Sequence, residues 1–126
     1  MAKPRIFAIV VVVAGMLLHA WTAVFKAEGG PSAFTLGLFA WSSLPYLACL
    51  LIALRACARS WLALCGALAA LCVDFAMYYS VFIAPDTSTA ALGLLMAPVI
   101  NLIVVVPLAV LLAYLLGRLR GARSGG

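Results

Sequence analysis

The stretch Trp61–Ile83, WLALCGALAALCVDFAMYYSVFI, contains a single charged side chain, Asp74. Coiled as a helix at about 1.5 Å per residue it is roughly 35 Å long, enough to cross the ~30 Å hydrocarbon core of a bilayer. Three stretches of the same kind flank it: Ile6–Phe25, Thr35–Leu54 and Leu92–Leu116. The 126-residue chain is 68% hydrophobic and 9% charged, with a mean hydropathy of +1.27. A soluble domain is roughly 45–50% apolar and about 25% charged. The composition therefore excludes an ordinary soluble domain, a disordered chain and a disulfide-stapled miniprotein. It predicts an all-α fold, a four-helix transmembrane bundle, forming a single integral-membrane domain over residues 1–126. The pieces between spans are too short for a soluble domain. Such short connections make sequential helices antiparallel neighbours.

The net charge of +5 is unevenly distributed. Lys3 and Arg5 precede the first span, Arg55 and Arg59 sit between the second and third, and Arg118, Arg120 and Arg123 follow the fourth. Only Lys26 lies on the other side, with Glu28 and Asp86. The positive-inside rule then places both termini and the middle connection in the cytoplasm. The seven basic residues read as topology signals and contacts to anionic lipid. A nucleic-acid partner is not expected, because no aromatic residues interleave with the basic ones. A cleaved signal peptide over the first span is the alternative: a basic start, an apolar run to Leu18 and small residues at Ala20 and Ala23. Trp21 and Phe25 continue the apolar run past any such cleavage site and favour a retained span.

Cys49, Cys57, Cys65 and Cys72 contain no Cys-x-x-Cys pair, so dithiol redox chemistry has no support. They read as small packing residues. No catalytic residues are assigned, because no nucleophile motif, phosphate loop or HExxH is present. No cofactor or metal site is expected from one His and scattered Cys. Trp21, Phe25, Tyr78 and Tyr79 fall where an outer interfacial belt belongs, and Trp61 and Tyr114 where an inner one does. Pro45, Pro98 and Pro107 lie inside spans and predict bends, with the fourth span the candidate for a break. The Gly-rich end after Arg120 is expected to be mobile.

Polar residues within the spans supply the candidate site. Measured from each span's midpoint at about 1.5 Å per residue, Asp74 lies roughly 3 Å to the outer side, Asn101 about 4–5 Å, His19 about 5 Å and Ser42 about 4 Å. Alternate spans run in opposite directions, so this agreement is not built in. Each residue also shares a face with small neighbours: Asp74 with Ala63, Ala67 and Ala70, His19 with Gly15 and Ala23, Ser42 with Thr35 and Cys49, and Asn101 with Ala97 and Pro98. Small faces let membrane helices approach closely. A charged Asp at mid-bilayer costs about 2.5–3.5 kcal/mol on insertion scales. Asp74 is therefore expected inside the bundle, bonded to His19, Asn101 or Ser42. Three readings of the layer stand: a closed structural network, a relay or polar-ligand site, or an interface with another subunit.

For function, the chain reads as a non-enzymatic accessory or interaction protein of a bacterial inner membrane. It would act through its helices on another membrane component, and an immunity-like protective protein belongs to the same class. The alternative is a small homo-oligomeric transporter or channel that passes protons, cations or solute through the polar layer.

Overall fold

A computed structural model of the protein describes residues 2–26, 29, 32–56, 59–84 and 90–124, with the backbone alone for 2, 90, 91 and 124. Cys57, Glu28 and Asp86 lie outside the described residues. The described chain is helical almost throughout. Helix α1 (Ala2–Trp21) continues through a π-helical turn, Thr22–Lys26. Helix α2 spans Ala33–Arg55, and α3 spans Ser60–Tyr78 with a π-helical turn at Tyr79–Ile83. Helices α4 (Ala90–Ile100) and α5 (Val106–Ser124) are joined by a third π-helical turn, Asn101–Val105. These pieces make four helices long and apolar enough to cross a membrane: Lys3–Lys26, Ala33–Arg55, Ser60–Ile83 and Leu92–Arg123.

Local chemistry sets the ends and irregularities. Ser32 caps α2 through a reciprocal pair: the Thr35 N–H donates to Ser32 Oγ at 3.3 Å, and the Ser32 N–H donates to Thr35 Oγ1 at 2.7 Å. At the other end the Ala56 N–H donates to the Ile52 carbonyl at 2.9 Å. Pro45 is buried inside an unbroken α2. The fourth span bends its hydrogen-bond ladder but does not break. Pro107 offers no N–H to the Ile103 carbonyl, and the wider turn just before it is closed by the Val106 N–H on the Asn101 carbonyl. At its far end α5 carries the helix through Gly121 to Ser124.

Two layers show that neighbouring helices alternate in direction. Ala8 from the start of α1, Ala53 from the end of α2 and Ala63 from the start of α3 pack together at one end. Val12, Tyr46, Cys49, Ala67, Ala70 and Val106 form the central layer. Helix α1 packs on α2 and α3, α2 also packs on α3, and α5 packs on α3, while α1 barely meets the fourth span. The section is thus a rhombus with α2 and α3 on its short diagonal. Large apolar side chains such as Leu17, Phe75 and Ile103 point outward, and small ones such as Ala8, Ala53, Ala63, Ala67, Ala70 and Ser43 are buried. That is the reverse of a soluble bundle and the pattern expected where lipid replaces water.

Candidate functional site: the Asp74 network

Asp74 sits in the last turn of α3 before its π-helical end, on the face made by Ala63, Ala67 and Ala70, all buried. Three donors from three other spans converge on its carboxylate. The Tyr46 hydroxyl on α2 donates to Oδ2 at 2.6 Å. The Asn101 amide in the fourth span donates to Oδ1 at 2.7 Å. His19 Nε2 on α1 lies 3.0 Å from Oδ2. The Tyr46 distance is in the range of a hydroxyl bonded to a carboxylate. The side chain of Asp74 is 3% exposed and that of His19 12%. Asn101 is fully buried.

Each partner is held by its own surroundings. Asn101 Nδ2 also approaches the Ala70 carbonyl at 3.4 Å, one helical turn before Asp74. The Ala70 carbonyl accepts only, which sets the amide nitrogen on that side. Its Oδ1 is buried without a hydrogen-bond partner among the described residues. Tyr46 reaches the site by crossing the face of α1 at Gly15, where an added Cβ would overlap ring atoms Cε1 and Cζ. The His19 ring meets the Tyr46 ring edge-on, with centroids 5.7 Å apart.

Of the four polar residues aligned by depth, the structure brings Asp74, His19 and Asn101 together. Ser42 is buried at the same level but makes no hydrogen bond to Asp74. Its face, with Thr35 and Cys49, is buried as expected, yet Tyr46, one turn further along, supplies the contact from α2. Ser42 instead joins His19 and Asp74 in lining a cavity of about 370 Å³ between all four spans. Phe39, Tyr78 and Phe82 form its walls. Tyr78 thus faces the cavity, whereas Trp21 and Tyr79 are exposed in the manner of belt residues. Among the described residues no three His, Cys, Asp or Glu side chains come together to hold a metal ion.

The basic residues cluster at the opposite end. Lys3, Arg55, Arg59, Arg118, Arg120 and Arg123 are exposed there, and Arg5 is half-buried. Arg59 stands over the Tyr114 ring, 5.9 Å from its centroid. Lys26 stands over Phe82 at the same distance, at the end near the cavity.

No family model, curated protein or solved structure matches this chain.

Proposed function

We propose that the protein is a small polytopic protein of a bacterial inner membrane. It acts without catalysis, through its helices, as an accessory or protective subunit of another membrane component. Both termini and the middle connection lie in the cytoplasm. The observation that supports this reading is the engagement of Asp74: its carboxyl group lies within hydrogen-bond distance of side chains from all three other spans. A carboxylate so engaged serves to close the bundle. What remains for function is the outer surface of large apolar side chains, suited to contact with lipid or another set of helices. Purification in mild detergent tests this. A foreign membrane subunit in fixed stoichiometry is the expected result. A pure homo-oligomer that moves ions or solute in liposomes would overturn it.

That second outcome corresponds to a small homo-oligomeric transporter or channel. One observation favours it: the cavity lined by Ser42, His19 and Asp74. It would give a proton, cation or polar solute access to the layer from one end.

A further inference from the structure

A second hollow, lying between the start of α3 and α5, has a different character. Its rim carries Arg59 from one element and Arg118 and Arg120 from the other, and its volume is about 910 Å³. The walls below are apolar, with Leu62, Leu112 and Ala113. Gly117 shapes it: an added Cβ there would stand 2.9 Å from Trp61 Cζ2, so the missing side chain lets the indole lie against α5. The Arg59 guanidinium stands 5.9 Å from the centroid of the Tyr114 ring, a cation–π contact at the hollow.

No acidic residue is among the described residues that line this hollow. The chain has three acidic side chains in all. Asp74 is engaged in the bundle, and Glu28 and Asp86 belong in sequence to the connections at the other end. Three guanidiniums belong to one hollow. Guanidinium matches phosphate geometry, with paired N–H donors facing paired oxygens. The anion must also tolerate apolar walls directly beneath the rim, and a free phosphate or nucleotide does not use them. An anionic phospholipid uses both parts. Basic pockets between membrane helices on the cytoplasmic side are sites of this kind.

We propose that the hollow between α3 and α5 binds one anionic phospholipid, its phosphate held by Arg59, Arg118 and Arg120 and its acyl chains lying along Leu62, Leu112 and Ala113. This rests on the membrane reading and not on any partner protein, so its failure would leave the co-purification result untouched. Native mass spectrometry of the full chain from mixed phosphatidylglycerol–phosphatidylcholine micelles tests it. One retained phosphatidylglycerol per chain is expected, with at least a fivefold preference over phosphatidylcholine. The double variant Arg59→Gln/Arg118→Gln should lose that preference. Lys3→Gln/Arg123→Gln, which removes the same charge at the same end but outside the hollow, should keep it. Circular dichroism and gel filtration establish that both variants fold. Equal loss in the two variants would mean diffuse surface charge only and would overturn the site. Equal retention of glycerol phosphate and of phosphatidylglycerol would also overturn it, because the head group alone would then suffice.

Discussion

Asp74 is bonded to three other spans, and the three bonds to it have unequal chemistry. Asp74→Asn keeps one oxygen for Tyr46 and His19 but turns an amide nitrogen toward the Asn101 amide, donor against donor. Asp74→Leu leaves the Tyr46 hydroxyl and the Asn101 amide without an acceptor. Interhelical hydrogen bonds in membranes average about 0.6 kcal/mol, and a stranded buried polar group costs roughly 1–3 kcal/mol. The Asn variant should therefore lose about 1 kcal/mol and the Leu variant about 3 kcal/mol, measured by unfolding in mixed detergent micelles. Equal losses would show that hydrogen bonding is not what the carboxylate contributes. Depth along each span was enough to find Asp74, His19 and Asn101 from residue order alone. Tyr46 escaped because that arithmetic follows Cα positions. Its Cα lies about 2 Å on the inner side of its span's midpoint. Helical side chains lean toward the N-terminus, however, and a tyrosine is long enough to bring its hydroxyl up to the carboxylate. Ser42 has the right depth but too short a reach.

The elements approach one another where side chains are missing. At Gly15, α1 accepts the Tyr46 ring against its backbone. Gly15→Ala should force the ring or the helix aside. Overpacking of this kind costs typically 1–3 kcal/mol. Combined with Tyr46→Ala, the cost of Gly15→Ala should shrink, because the atoms it strikes are gone. A double-mutant cycle on detergent-solubilised protein measures this coupling; strict additivity would place the two residues out of contact. Hydropathy alone located the four spans, since a run of apolar residues needs no partner to be recognised. It did not show that α1 sits beside α3 and away from the fourth span. Short connections fix only which consecutive helices are neighbours, and the diagonal is decided by which small faces fit. The prolines pointed to the fourth span without giving the form of its irregularity. Between Pro98 and Pro107 the ladder widens into one π-helical turn, and that turn begins at Asn101, the residue that donates to Asp74.

For the molecule as a whole, the dominant asymmetry is charge. Seven basic residues belong to one end, and Lys26 stands alone at the other. Alkaline phosphatase fused after Glu28 or after Asp86 should be active in a bacterial host, and fusions after Arg59 or Arg120 should be silent. The reverse pattern would invert the topology, and activity at only one outer connection would reject four spans. The closure on Asp74 also bears on how such a chain is made. Synthesis runs from the N-terminus, so His19 and Tyr46 enter the membrane before Asp74 does. The hairpin of α1 and α2 is then a waiting receptor for the one acidic residue that lipid would resist, and Asn101 arrives last to lock it. The order of the helices along the chain doubles as an assembly schedule, in which the most costly side chain is never the first of its group to be immersed.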